Sequence, residues 1–146
     1  MTVPDGPAYA GDMARYVVDA PTLVHVVDER LDVHRSHLLV APNSIRSDAL
    51  QLLLDDVRRG ARTDAEARES HERMTALKMR LLGDRASRGL AWRLAREHDL
   101  ETLRAAEYMA ITRLQADALV TVDAKLSATA RSVVPLASVA ALLSAE

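Results

Sequence analysis

Short apolar runs alternate with amphipathic stretches along most of this sequence. Residues 15–19 and 37–41 form β-rich runs, and each is followed by a segment whose apolar residues have helical spacing. The alternation continues through a short run at 77–82 and a longer one at 118–123, and residues 132–135 are predicted as a last strand before a short terminal helix. Near-continuous apolar strands between helices are typical of parallel sheets covered on both faces. The pattern therefore predicts a three-layer α/β/α sandwich with a central, mostly parallel sheet.

Local signals predict where several helices begin. Asn43 follows the second strand and is placed to cap the next helix. Thr63 and Glu66 have the spacing of a capping box, in which each residue satisfies a free amide of the other. A later helix runs through Leu90 and Leu94, and Trp92 between them is predicted to belong to the core. Base stacking on that ring is therefore not expected.

Composition narrows the class of protein. The chain has 146 residues, 49% of them hydrophobic, so a single domain over residues 15–146 is predicted after a loose lead-in over residues 1–14. Cysteine is absent, which excludes disulfides, thiolate metal sites and a cysteine nucleophile. The net charge of -2 predicts that any attraction to nucleic acid is local. No leader or membrane span is recognisable, and a cytoplasmic protein without a membrane partner is expected.

Acidic residues follow two of the predicted strands. Asp19 and Asp123 each end a run, and parallel strands present their carboxyl ends at one edge of the sheet. Asp48 lies one helical turn from Ile45 and Leu52, at the border of a buried stripe. Ordinary roles are also open: a helix cap for Asp19, a turn for Asp123 and a salt bridge at the rim for Asp48.

Three neighbouring carboxylates repel one another unless a cation neutralises them, so this cluster predicts a divalent metal. Oxygen ligands favour Mg²⁺ or Mn²⁺, and such ions assist hydrolysis of phosphodiesters. A phosphoryl-accepting domain of the response-regulator kind uses similar acids, but the early adjacent acids that it needs are missing here.

Several motifs together resemble the PIN-domain ribonucleases, and within them the VapC-like toxins of bacterial toxin-antitoxin pairs. The resemblance spans most of residues 15–142. It is carried by Tyr-Val-Val-Asp-Ala at 16–20, Leu-Leu-Val-Ala-Pro at 38–42, Arg-Ser-Asp at 46–48, Leu-Leu-Gly-Asp-Arg at 81–85, Ala-Glu-Tyr at 106–108 and Thr-Val-Asp at 121–123. The resemblance implies a PIN-like fold, a magnesium-dependent endoribonuclease, a cognate antitoxin as partner and a homodimer.

The resemblance also assigns roles to residues. Asp19 and Asp123 match the first and the late metal-site aspartates, Asp48 stands where the family usually has glutamate, and Thr121 matches a supporting residue. Ala105 occupies the position of a further acidic ligand, and Glu101, one turn earlier, is the remaining candidate for that role. This departure leaves an alternative open: a PIN-like protein with weakened or lost catalysis that acts by binding RNA or protein.

Arginines cluster around the predicted fourth helix, at positions 80, 85, 88, 93 and 96. Arg85 and Arg88 are predicted to contact RNA phosphates, whereas an ordinary solvated helix face is the plainer interpretation of the cluster.

Overall fold

A computed structural model describes residues 14–145, which form five strands and six α-helices. The strands are β1 (Ala14–Val18), β2 (His37–Pro42), β3 (Met79–Leu82), β4 (Ala118–Val120) and β5 (Leu136–Ala137). The helices are α1 (Ala20–Asp28), α2 (Ile45–Arg58), α3 (Asp64–Ala76), α4 (Arg85–Glu97), α5 (Leu103–Gln115) and α6 (Ala124–Ala130), and a 3-10 helix follows over Val139–Leu143. None of these helices is long and apolar enough to cross a membrane.

All strand pairs are parallel, and the strand order is β3-β2-β1-β4-β5. The chain moves outward from β1 to β3 and then crosses to the other side of β1 to form β4 and β5. The order reverses between β1 and β4, and the crevice beyond the carboxyl ends at such a reversal is the usual ligand site of open parallel sheets. The predicted three-layer α/β/α sandwich is confirmed.

The central strands are buried on both faces, which accounts for their unbroken apolar runs. Val17, Val40 and Leu119 have at most 1% of their surface exposed. Leu23 of α1 and Met109 of α5 are fully buried as well, and each belongs to the one core cluster that contains these strands. The core thus fixes the carboxyl ends of β1 and β4 side by side.

Some boundaries differ from the sequence prediction. Ser44, not Asn43, is the N-cap of α2, and its side chain makes no capping hydrogen bond. The last strand lies at Leu136–Ala137 and not at 132–135, because Val133 and Val134 are buried in the turn after α6. Helix α6 was not predicted from the sequence, since its seven residues are too few to show a periodic pattern. The predicted lead-in lies outside the described residues except Ala14, where β1 begins.

The prediction for Trp92 is wrong, because its side chain is 62% exposed. Leu90 and Leu94 are both buried, and Trp92 is two residues from each of them. Two residues correspond to about 200° of rotation on a helix, so Trp92 must point to the opposite side.

Candidate functional site

Asp19 lies at the centre of the site, directly after β1. It is the N-cap of α1, where its carboxylate accepts a hydrogen bond from the backbone N–H of Thr22 at 3.3 Å and a second one from the Thr22 hydroxyl. Pro21 occupies the first turn, where its fixed φ suits a helix start and its missing N–H costs nothing. The helix start therefore holds the carboxylate in one orientation.

Thr121 reaches the same carboxylate from the neighbouring strand. Val18 pairs with Val120 in the sheet, so the residues that follow them, Asp19 and Thr121, emerge side by side. The Thr121 hydroxyl donates to Asp19 Oδ2 at 2.7 Å and accepts the backbone N–H of Asp123 at 3.0 Å. Thr121, predicted as a residue that supports Asp123, thus contacts both Asp19 and Asp123.

Burial controls the ionisation of Asp19, which is only 3% exposed. Loss of water around the carboxylate raises its pKa, and the hydrogen bonds from Thr22 and Thr121 offset part of that rise. No ion pair to Asp19 is formed within residues 14–145. Its negative charge is therefore incompletely compensated, and a cation in the cleft would stabilise it.

Asp123 and Asp48 approach the site from two helix starts. Asp123 is the N-cap of α6, and its Oδ1 accepts the backbone N–H of Lys125 at 3.0 Å. Asp48 lies in the first turn of α2 and forms an ion pair with Arg104 of α5. The rim salt bridge that the sequence left open for Asp48 is therefore present.

These acids line one cleft of about 360 Å³ at the carboxyl edge of the sheet. Asp19, Asp48, Asp123 and Glu101 contribute carboxylates to it, and Arg104 and Lys125 contribute cations; its other walls are formed by Ala20, Pro21, Leu52, Leu100, Thr102, Ala105, Tyr108, Leu126 and Thr129. Lys125 Nζ donates to Glu101 Oε1 at 2.5 Å, and this bond together with the lysine charge lowers the pKa of Glu101. Two of the four carboxylates thus already have a cationic partner.

Tyr108 adds an uncompensated polar group to the cleft, and the sequence did not single it out as a site residue. The side chain is 4% exposed, and its hydroxyl lies near the backbone of Ala20 but has no hydrogen-bond partner among the described residues. Burial, followed by the charges of Asp48 and Asp19, raises its pKa, so the group stays neutral and remains a donor. The hydroxyl oxygen itself is buried, so it is an unsatisfied polar atom of a residue that lines the cleft, not an open donor.

Some of the remaining predicted residues line the cleft and others lie outside it. Ala105 lines the cleft, so the position without an acid does face the predicted site. Arg85 and Arg88 are exposed on α4 and do not line the cleft. Arg104, which the sequence analysis also missed, would have been hard to find, since its partner Asp48 is 56 residues away along the chain.

Among residues 14–145, no group of three or more histidine, aspartate or glutamate side chains is arranged to hold a metal ion by itself. The acids share a cleft without forming a ready coordination shell. An ion such as Mg²⁺, which commonly uses one or two carboxylates and keeps several waters, fits this donor set better than an ion that needs a full protein cage.

These features define an α/β/α protein with an acidic cleft at the switch point of its parallel sheet. One solved protein with a similar fold is PAE2754 from Pyrobaculum aerophilum, whose crystal structure matches with a TM-score of 0.64 and 23% sequence identity over 90% of this chain and 95% of that one. The similarity establishes the fold alone. No protein-family model matches the sequence, and no curated protein matches it at a significant level.

Proposed function

We propose that this protein is a magnesium-dependent endoribonuclease, the toxin of a toxin-antitoxin pair, that hydrolyses RNA phosphodiesters in the acidic cleft. The observation that carries the proposal is the common position of Asp19, Asp48 and Asp123, which come from three separate parts of the chain and line the same crevice. Asp19, a buried carboxylate that forms no ion pair within residues 14–145, is one of its lining residues. Hard oxygen donors in such a crevice suit Mg²⁺ or Mn²⁺.

Each residue has a distinct part in this proposal. Asp19 would be the principal ligand, with its orientation fixed by Thr22 and Thr121. Asp123 and Asp48 would bind through retained waters, since the three acids form no closed shell. The chemistry that such an ion supplies is a lowered pKa for water and neutralisation of phosphate charge.

Two further groups would act on the substrate. The Tyr108 hydroxyl is a buried, neutral donor without a partner among the described residues, and it would donate to a phosphate oxygen or a water that reaches it. Arg104 pairs with Asp48, and once that carboxylate is engaged by a cation, its guanidinium becomes available to a phosphate. The half-exposed side chain of Arg104 has the freedom that such a change of partner requires.

The test is a calorimetric titration of Mg²⁺ and of Mn²⁺ into the wild type and Asp19→Asn, run beside cleavage of a single-stranded RNA. Loss of the principal ligand is expected to weaken metal binding about tenfold or more and to abolish cleavage. Asp55→Asn is the control, because Asp55 is an exposed residue of α2 whose side chain bonds only to Gln51 among the described residues. Equal metal affinity in Asp19→Asn and the wild type, or cleavage that survives chelation, would contradict the proposal.

A second candidate function is RNA or protein binding without catalysis. Two observations favour it: Ala105 places a methyl group in the cleft where the resemblance expects an acid, and Arg104 already neutralises Asp48. Ala105→Asp separates the candidates, because an added carboxylate near the start of α5 should tighten metal binding if the cleft is a weakened metal site. Wild-type protein that binds RNA but neither binds metal nor cleaves would establish the second function.

A further inference from the structure

The outer face of α4 carries four arginines around the only tryptophan of the chain. Arg85, Arg88, Arg93 and Arg96 are all exposed, and Trp92 has 62% of its surface exposed. Burying such a ring would remove a large apolar surface from water, yet the fold leaves it open. A lone surface aromatic set among cations calls for an explanation that packing does not give.

Helix geometry places these side chains in one stripe. At 100° per residue, Arg85, Arg88, Trp92 and Arg96 lie within about 80° of one another around the axis, and Arg93 borders them. The stripe is about 16 Å long at 1.5 Å per residue. The buried residues of α4 (Ser87, Leu90, Ala91 and Leu94) occupy the opposite side.

The four arginines are not engaged in ion pairs with any residue from 14 to 145. Arg88 donates to the carbonyl of Gly83 at 3.3 Å, and its charge is partly offset by Asp84 at the helix start. The net charge of the chain is -2, so this local excess of positive charge contrasts with the molecule as a whole. The stripe is therefore suited to a polyanion.

Gly89 lies within the stripe, and a Cβ added there would meet no atom within 4 Å. The backbone of α4 is thus open beside Trp92, between the arginine side chains. Glycine in a helix interior costs about 1 kcal/mol relative to alanine, so this position lacks a stabilising side chain that it has room for. The gap lets a flat or bulky group approach the helix next to the indole ring.

We propose that the stripe Arg85–Arg88–Gly89–Trp92–Arg93–Arg96 binds single-stranded RNA, with phosphates on the arginines and an unpaired base stacked on Trp92. Exposed aromatics combined with backbone-tracking cations are the usual composition of such surfaces. A protein partner is less well suited, because Trp92 is the only large apolar side chain exposed on α4. Stacking requires bases with free faces, which excludes duplex RNA as the preferred ligand.

The stripe is distinct from the acidic cleft, because none of its residues lines the cleft. Leu100, three residues beyond the end of α4, does line it, so only the Arg96 end of the stripe is close along the chain to a wall of the cleft. The proposal deepens the proposed function, since it gives the RNA substrate a second region of contact. Binding is measured with a chelator present, so failure of the stripe and failure of the metal site are distinguishable.

The first experiment uses a 12-nucleotide oligouridine in EDTA. Because Trp92 is the only tryptophan, quenching of intrinsic fluorescence reports directly on contact with this ring. Anisotropy of the labelled RNA gives the affinity, and Trp92→Ala is expected to weaken it about tenfold. Leu114→Ala on α5 is the control, since Leu114 is an exposed apolar residue outside the stripe, with 45% of its surface exposed. The RNA affinity of this variant should match that of the wild type.

A second pair of variants tests charge without removing any contact. Gly89→Glu adds a carboxylate to the stripe and Gly89→Gln adds the same bulk without charge; both should raise the thermal midpoint, because glycine is a poor helix former. Gly89→Glu is expected to weaken RNA binding at least threefold more than Gly89→Gln. If all four arginines contact phosphates, log affinity should fall against log salt with a slope of about -3.

Three outcomes would overturn the proposal. They are RNA binding that leaves Trp92 fluorescence unchanged, equal affinity of Trp92→Ala and the wild type, and tighter binding of a 12-base-pair RNA duplex than of the single strand. Vesicles containing phosphatidylglycerol form a further arm: a blue shift of Trp92 fluorescence with vesicles and no response to RNA would assign the stripe to a membrane surface instead.

Discussion

Asp19 performs two tasks that the sequence presented as alternatives. It caps α1 through Thr22, and the same buried residue lines the cleft. A cap needs one oxygen near the first free amides, while the second oxygen remains available on the other side. In this structure that second oxygen accepts the Thr121 hydroxyl, so one residue joins the helix start, the neighbouring strand and the candidate site.

Arg104 is the residue whose replacement gives the clearest prediction about the cleft. Its guanidinium pairs with one carboxylate oxygen of Asp48, and any divalent ion that uses Asp48 must compete with that positive charge. We expect Arg104→Gln to bind Mg²⁺ and Mn²⁺ roughly threefold to tenfold more tightly, because a half-exposed ion pair contributes up to about 1 kcal/mol and the loss of a positive charge also removes repulsion. Isothermal titration measures this directly.

Arg58→Gln is the matched control for Arg104→Gln, since it removes one exposed arginine that does not line the cleft. Its metal affinity should equal that of the wild type. Unchanged or weaker binding in Arg104→Gln would mean that Arg104 does not compete with metal for Asp48.

At the scale of single elements, the start of α3 is the most fully determined by local sequence. Thr63 accepts the N–H of Glu66 at 3.1 Å, and Glu66 accepts the N–H of Thr63 at 2.8 Å, so the predicted capping box is confirmed. Thr63→Ala should lower the free energy of unfolding by about 1 kcal/mol. Chemical denaturation monitored by circular dichroism provides the measurement.

Ser44→Ala serves as the comparison for the capping prediction. Ser44 is also an N-cap residue, but its side chain makes no capping hydrogen bond, so its removal should change stability by less than about 0.5 kcal/mol. Equal losses in the two variants would show that the cap residue acts through something other than its hydrogen bond.

At the scale of the whole molecule, one polar network ties three helices together. Arg62, between α2 and α3, donates to both carboxylate oxygens of Asp28 on α1, at 2.9 and 3.3 Å, and to Asp56 on α2 at 3.0 Å. Ser70 of α3 donates to Asp28 at 2.8 Å. The side chain of Arg62 is only 17% exposed, so its charge depends on these partners.

This network makes the stability of the fold depend on pH. Partial burial alone would raise the pKa of Asp28, but the hydrogen bonds from Arg62 and Ser70 and the charges of Arg62 and Arg73 outweigh it, and the pKa is lowered. A lowered pKa contributes stability above the ordinary value of 3.8, and that contribution is lost as pH falls through the folded-state pKa.

Arg62→Met is therefore expected to cost about 2 kcal/mol at pH 7 and distinctly less at pH 3. Urea denaturation at both pH values gives the two differences. Arg68→Met removes an exposed pair with Asp64 and should change stability by less than about 0.5 kcal/mol. A difference between Arg62→Met and the wild type that stays constant from pH 7 to pH 3 would exclude Asp28 as the titrating group.

The sequence by itself determined the layered fold, the parallel sheet and most helices, because hydrophobic periodicity and capping are local properties. It also predicted that Asp19, Asp48 and Asp123 lie close together, because the order of strands and acids along the chain indicated it. Only the tertiary structure decided that Arg104 pairs with Asp48, that the Tyr108 hydroxyl is buried without a hydrogen-bond partner in the described residues, and that Trp92 faces water. Those facts depend on contacts between distant segments and on the rotation of each helix against the sheet, which local spacing does not specify.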